Sequence, residues 1–413
     1  MELVEEKYQQ TEIGLIPSDW EVKSLGKIGE CIIGLTYSPN DVKDYGTLVL
    51  RSSNVQNNKL AFENNVFVKM ELPERVFVKE NDILICVRNG SKHLIGKSAL
   101  IDKKTKGSAF GAFMAIYRTE FSKIVFYNFQ SNIIQKQIDE NLGATINQIT
   151  NKNLASYKIP LPPTLEEKTL IATALSNTDN WITNLEKLLA KKNLIKQGAL
   201  QELLQPKEDW SEKSIIELAE NKKELFDDGD WVESEHIINN GVRLIQTGNI
   251  GIGKYVEKNY KKYISEKSFL ELSCKPLVEG DLLICRLADP AGRACILPNI
   301  GEDKVITSVD VTIFRPRNEI ANRIFLLYIF STSEWFQKVT ERVGGTTHKR
   351  ISRSSLGNIK ISVPNNIKEQ IRIATILSDM DVEIEQLEIK IDKAKKVKQG
   401  MMQELLTGKT RLV

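Results

Sequence analysis

The chain has 413 residues, a formal net charge of +3, and a composition 41% hydrophobic and 27% charged, which suits a soluble globular protein of several units. So small a net charge does not by itself declare a nucleic-acid binder, and local clusters must carry that argument. The acidic, polar opening M-E-L-V-E-E-K-Y-Q-Q does not read as a signal peptide, and the most apolar window, 324–330, is too short to span a bilayer, so a cytoplasmic protein with no membrane partner is expected.

The first segment, 1–163, reads as β-rich. Short apolar runs such as L-V-L (48–50), V-F-V (66–68) and I-L-I-C-V (83–87) are separated by Gly, Asn, Asp and Pro turn signals. Towards its end 123–141 reads as one helix. Pro160, Pro162 and Pro163 then stop the segment. The second segment, 164–205, reads as a long helix, roughly 165–204. Its apolar positions Ile171, Leu175, Ile182, Leu185 and Leu189 step by fours and threes, with Thr178 filling one place.

The third segment, 206–365, is again β-rich, with V-T-I-F at 311–314, a helix around 320–342 and a stop at Pro364. The fourth, 366–413, is again a long helix, roughly 367–406, with a seam of Ile373, Leu377, Met380, Ile384, Leu387 and Ile391. Neither helix hides such a stripe alone, so the two are expected to pair; packing of each on its own β-rich segment is the alternative. Forty residues make roughly 60 Å of helix.

The order is therefore a repeat. Residues 143–204 align without a gap on 345–406 at an offset of 202, and 25 of the 62 pairs are identical. The strongest matches are I-A-T-A-L-S-N-T-D (171–179) with I-A-T-I-L-S-D-M-D (373–381), and K-Q-G-A-L-Q-E-L-L (196–204) with K-Q-G-M-M-Q-E-L-L (398–406). Upstream the offset drifts: E-N-D-I-L-I-C (80–86) echoes E-G-D-L-L-I-C (279–285) at 199. Insertions thus fall in the β-rich segments and none in the helices, where a packed helix must keep its phase. The fold class expected is α+β: two β-rich domains and two long helices in a pseudo-twofold internal repeat.

Motifs that suggest catalysis fail on inspection. G-S-K-H-L-I-G-K-S (90–98) has Ser91 where a phosphate-binding loop needs glycine, and the matching place in the second half is A-G-R-A. Asp289 with Glu302-x-Lys304 is a short, frequent pattern with only a turn as its first-half partner. Pro162–Pro163 lacks the flanks of an amino-methyltransferase loop, and His93, His236 and His348 are scattered. Five cysteines without a C-x-x-C pair read as reduced, buried thiols, with Cys86 and Cys285 at matching places. No cofactor, metal or catalytic residue is expected.

Basic, turn-rich stretches suit phosphate contact instead. Residues 88–106 hold Arg88, Lys92, Lys97, Lys103, Lys104 and Lys106 beside His93, against the one acid Asp102. The second half offers Arg243, Arg286, Arg293 and G-G-T-T-H-K-R-I-S-R, with Thr347, His348, Lys349 and Arg350. The first-half partner of that last run carries Thr145 and the amides Asn147 and Gln148, which suit adenine edges. Asn54 matches Asn249, whereas Arg51 faces Gln246 and Asn147 faces Lys349. Two domains of one fold that differ at such places would read two different short sequences. A solvated loop is the alternative reading of each of these residues, and a coiled-coil scaffold that binds only protein is the alternative for the chain.

The chain resembles the specificity (S) subunit of type I restriction–modification systems over nearly its whole length. The resemblance rests on I-G-x-I-P-x-x-W (13–20), the G-D-L-L-I-C-R strand (280–286), E-E-K-x-x-I-A-x-x-L (166–175) and its twin, and the repeated K-Q-G-x-x-Q-E-L-L before L-T-G-K-x-R-L (406–412). It implies target recognition domains at 1–163 and 206–365, and conserved helices at 164–205 and 366–413 forming an antiparallel coiled coil. It further implies a non-catalytic subunit that binds a bipartite, asymmetric site in double-stranded DNA. Two methyltransferase subunits, which use S-adenosylmethionine, and two restriction subunits would join it, and the coiled-coil length would set the spacer. One departure is K-E-D-W (207–210), which lacks the full I-P-x-x-W opening.

Overall fold

A computed structural model describes residues 8–142, 147–287, 290–344 and 349–412. The chain divides into two compact units. One runs to Lys187 and resumes at Glu388; the other is Leu188–Leu387. Each unit therefore holds a β-rich domain, the nearer half of the long helix that follows it, and the farther half of the other long helix.

In the first unit the strands that frame the core include β1 (Glu21–Ser24), β2 (Glu30–Ile33), β3 (Thr47–Leu50), β4 (Phe67–Val68), β5 (Ile83–Cys86), β6 (Ser98–Leu100), β7 (Ala109–Phe110) and β8 (Met114–Arg118). Helices α1 (Ser122–Phe129) and α2 (Asn132–Asn141), strand β9 (Lys158–Leu161) and helix α3 (Leu165–Leu203) follow. A central antiparallel sheet has the order β6-β5-β8-β2, with Ile83 opposite Tyr117 and Cys86 opposite Met114. A second sheet brings β7 parallel to β3, with β4 on the other side of β3, and β9 pairs with β1.

The second unit repeats this plan with β10 (Trp210–Ser214), β11 (Phe226–Asp228), β12 (Val242–Ile245), β13 (Lys262–Ile264), β14 (Leu282–Cys285), β15 (Ala294–Ile296), β16 (Val305–Thr307) and β17 (Val311–Phe314). Helices α4 (Arg323–Ile329) and α5 (Ser333–Thr340), strand β18 (Lys360–Pro364) and helix α6 (Ile367–Leu405) complete it. Its central sheet is β15-β14-β17-β11, the same order as in the first unit, and β10 pairs with β18.

The unbroken apolar strands I-L-I-C and L-L-I-C follow from this layering. Side chains alternate across a strand, and both faces of the central strand are covered. Ile83 and Ile85 join a core with Phe126, Phe129 and Ile138 from α1 and α2. Leu84 and Cys86 face a second core with Val49, Leu50 and Phe110. In the second unit Leu282 and Ile284 pack with Phe325, Phe330 and Trp335, while Leu283 and Cys285 pack with Ile245 and Val311. The four buried cysteines are free, and Cys31 is half-buried and free.

The single helix expected over 123–141 is two. Gln130 and Ser131 interrupt it: Ser131 adopts an extended backbone and its hydroxyl donates to Asn128 O at 2.7 Å. The counterpart splits in the same way at Thr332, whose hydroxyl caps α5 by accepting from Trp335 N at 3.2 Å. A hydroxyl residue that satisfies free backbone groups starts a new helix readily, which an apolar periodicity alone does not reveal.

The long helices begin on side-chain caps. Thr164 Oγ1 accepts from Glu167 N at 3.1 Å, and Asn366 Oδ1 accepts from Lys368 N at 2.9 Å. Their first turns sit on their own domains: Ile171 and Leu175 belong to the first unit's helical core, and Ile373 and Leu377 to the second's. Within each unit the two helix halves also run antiparallel against each other. Asp179 meets Lys398 at 2.7 Å and Glu186 meets Lys395 at 2.9 Å in the first unit; Lys192 meets Glu383 at 2.5 Å and Lys196 meets Asp381 in the second. The two alternatives for the apolar seam are thus both realised. Ile182, Leu185 and Ile391 are buried, while Leu189, Met380, Ile384 and Leu387 are half-buried.

The family-like opening and closing motifs meet inside the first unit. Arg411 donates to both oxygens of Asp19 at 3.0 Å, to Glu167 Oε2 at 2.9 Å, and lies over the Trp20 ring. Glu167 is almost wholly buried, so this paired guanidinium is what makes its charge tolerable there.

Candidate nucleic-acid interface

In the first unit, four segments far apart in sequence converge at one end of the central sheet. Beyond β5 the backbone N–H groups of Val87 and Arg88 both donate to Phe113 O, at 3.0 and 3.1 Å. Ile149 N donates to Val87 O at 2.7 Å, and Arg88 pairs with Gln148 as an isolated bridge. Asn147 Nδ2 donates to Gly90 O at 3.2 Å, and Asn89 Nδ2 donates to Ser52 Oγ at 3.2 Å.

The second unit builds the same junction. Arg286 N donates to Asp310 O at 2.8 Å, Ile351 N donates to Arg286 O at 3.0 Å, and Leu287 bridges Arg350. Val87 thus answers to Arg286, Phe113 to Asp310, Gln148 to Arg350 and Ile149 to Ile351.

Several cations and amides proposed from sequence as contacts are committed to internal partners. Asn54 Oδ1 accepts from Arg51 N at 2.9 Å and its amide donates to Ala61 O at 2.8 Å; Asn249 bonds Gln246 N at 3.0 Å and Val256 O at 3.0 Å in the same manner. Lys97 Nζ donates to Ser52 O and Val55 O, and Arg293 at the matching place donates to Thr247 O at 2.9 Å and Ile250 O at 2.7 Å. Both long side chains therefore pin a short turn from below, and burial pulls the Lys97 ammonium below its ordinary value. Arg243, 1% exposed, pairs with Glu257 at 3.1 Å beneath the Tyr263 ring. Arg286 is buried, donates to Val309 O at 2.6 Å and pairs with Asp228 at 2.9 Å. These six hold loops in place, because a buried polar group needs its partner close at hand.

Exposed at the junctions are Arg88, Lys92, His93 and Gln148 in the first unit and Lys349 and Arg350 in the second; Arg51, Asn147 and Gln246 are half-buried. The basic run read over 88–106 is split by its own strand. Residues 88–97 lie at the junction end of β6, whereas Lys103, Lys104 and Lys106 follow β6 and belong with the turn at its far end. Thr145, Thr347 and His348 lie outside the described residues, as does Asp289. Sequence reasoning missed Phe113 and Asp310; both directly precede a strand, and nothing local marks them.

Among the described residues no group of three or more His, Cys, Asp and Glu side chains is placed to hold a metal, and no helix is long and apolar enough to cross a membrane. The arrangement offers hydrogen-bond donors, cations and one aromatic ring on turns, which is the chemistry of holding a polyanion and touching base edges.

Comparison with known proteins agrees with this layout. The type I restriction modification DNA specificity domain profile matches twice, at residues 17–197 and 207–394. The type I restriction enzyme MjaVIII specificity subunit of Methanocaldococcus jannaschii is 26% identical over an alignment of 440 residues, covering 99% of this chain and 97% of that protein. The EcoKI specificity subunit of Escherichia coli is 26% identical over 294 residues, covering 66% and 62% respectively. Among solved structures, the S subunit from M. genitalium superposes with a TM-score of 0.58 at 15% identity over 94% of this chain and 96% of that one. The HsdS subunit from Thermoanaerobacter tengcongensis gives 0.50 at 18% identity over 96% and 98%.

Proposed function

We propose, for a chain that belongs to the type I restriction modification DNA specificity family, that DNA sequence recognition proceeds through the two matched loop junctions, each reading one half of a bipartite, asymmetric duplex site. Residues 1–163 and 206–365 act as the two target recognition domains. The helical segments 164–205 and 366–413 set the spacer and carry the partner subunits. Arg88, Lys92 and Lys349 hold phosphates; Arg51, Asn147, Gln148, Gln246 and Arg350 serve the base edges. The chain supplies recognition and no catalytic group. Two methyltransferase subunits and two restriction subunits assemble on it in the cytoplasm.

The observation that carries this reading is the doubling of the junction. The two units agree at the Asn54/Asn249 and Lys97/Arg293 pairs that pin the turns and differ in the exposed side chains, as expected if the pinned framework is shared and the message is not.

The test is binding of a duplex carrying the methylated site to the chain assembled with its methyltransferase partners, as a function of salt. Arg88→Ala/Lys92→Ala is expected to lower the slope of log affinity against log salt by about 2, near 0.9 per lost phosphate contact. An unchanged slope and affinity would remove the first junction as the DNA face. Binding independent of salt in the unaltered assembly would favour a protein-only scaffold.

A further inference from the structure

The two junctions share one position at which their chemistry is opposite. In the first unit Phe113 ends the turn before β8, and its carbonyl accepts from both Val87 and Arg88, so its backbone is fixed. The residue is nevertheless 57% exposed, and the Arg88 guanidinium lies 5.1 Å from the ring centroid. In the second unit the same place before β17 is Asp310, whose carbonyl accepts from Arg286 N. Its carboxylate Oδ1 forms an ion pair with Arg350 Nη2 at 3.0 Å, a charge contact without hydrogen-bond geometry, and the Arg350 backbone is itself locked by two hydrogen bonds with Gly344 at 3.0 and 3.1 Å.

An exposed ring on a turn, with the Arg88 guanidinium over it and Gln148 bridged to the Arg88 backbone, is open to a partner. An apolar group at a DNA face has a specific use, contact with the thymine methyl in the major groove. An arginine held by a carboxylate has another. A fixed guanidinium fork presents paired donors to the O6 and N7 of guanine, whereas a free one settles on any phosphate.

We propose that Phe113 and Asp310 are the matched specificity-determining positions of the two half-sites: Phe113 touches a thymine methyl, and Asp310 positions Arg350 for a guanine. This rests on the junctions being the DNA face. Phe113 contacts the base directly, whereas Asp310 acts through Arg350 and is a positioning residue. The shared framework then explains how one fold reads two sequences, since the substituted side chain changes and the backbone holding it does not.

The experiment uses the full chain co-expressed with its methyltransferase partners and a plasmid library in which one half-site at a time is randomised, with methylated sequences read out. Phe113→Ala is expected to relax discrimination about 5- to 100-fold at one or two positions of one half-site, at a thymine, and to leave the other half-site unchanged. Asp310→Ala is expected to do the same at a guanine of the other half-site, with Asp310→Glu restoring the preference. Phe113→Leu, which keeps an apolar contact, is expected to retain most of the thymine preference and serves in place of the alanine variant if that fails to fold. The inference is overturned if Phe113→Ala and Asp310→Ala leave the methylated sequences unchanged while Arg88→Ala/Lys92→Ala abolishes methylation, or if either single variant relaxes both half-sites together. If Arg88→Ala/Lys92→Ala is also silent, the underlying reading of the junction fails with it.

Discussion

Arg118 grips Asp82 through two parallel hydrogen bonds, Nε to Oδ1 at 2.8 Å and Nη2 to Oδ2 at 2.7 Å. Asp82 is almost wholly buried, and its Oδ2 also accepts from Lys79 N at 2.7 Å, closing the turn before β5. The second unit repeats every part: Arg315 donates to Asp281 at 2.7 and 2.6 Å, and Asp281 accepts from Val278 N at 2.9 Å. A bidentate pair with its remaining lone pairs satisfied is the form in which a buried carboxylate is stable.

Removing that carboxylate strands a guanidinium and opens a turn. Asp82→Ala is expected to destabilise the first unit by about 3–5 kcal/mol, the usual cost of breaking one side of a buried pair. Urea denaturation followed by tryptophan emission would measure it. A loss below about 1 kcal/mol would show that water replaces the missing partner.

The long helices are joined by a second repeated device. Asp179 accepts from Tyr127 Oη at 2.9 Å and pairs with Lys398 at 2.7 Å; Asp381 accepts from Tyr328 Oη at 2.7 Å and pairs with Lys196. Each aspartate thus links its own domain to the opposing helix. A double-mutant cycle with Asp179→Asn and Lys398→Met is expected to give a coupling of about 1 kcal/mol, above the median for exposed pairs because Lys398 is largely covered. Additive effects of the two substitutions would remove the pair as a helix clamp.

Asn54 and Asn249 offer a contrast with the exposed cations. Each satisfies backbone groups inside its turn. Asn54→Ala is expected to cost about 1–3 kcal/mol of stability, since the freed groups are partly buried. The salt slope of DNA binding should stay as it was, because no phosphate contact is lost. A fall in slope without a fall in stability would assign Asn54 to DNA instead.

The cysteines should be inert while the chain is folded. Burial pushes the Cys295 thiol up to about 12 and the Cys31 and Cys274 thiols up to about 11, so little thiolate exists at pH 8. Labelling with a thiol-disulfide reagent at pH 8 is expected to be slow in buffer and complete in denaturant. Fast labelling of Cys295 in the native chain would contradict its buried place on β15, opposite Leu283 of β14.

The amino-acid sequence alone determined the repeat, the long helices and their seam, and the family resemblance, because these depend on periodicity and on motifs that local geometry enforces. The helices keep a constant offset of 202 since any slip would move Ile171 or Ile373 out of its core. It also marked Cys86 and Cys285 as matched buried thiols, because the strands that carry them are apolar on both faces.

Only the tertiary structure decided what the polar residues do. Arg88 and Arg286 lie in equivalent loops, yet Arg88 is exposed and Arg286 is buried on Asp228. Lys97 reads as part of a basic cluster but pins a turn, and Lys103 reads as its neighbour but lies across the sheet. The burial of a charge depends on partners supplied by distant segments, and a linear pattern carries no record of them. Phe113 and Asp310 stayed hidden for the same reason, since their equivalence rests on which carbonyl accepts from which amide across the junction.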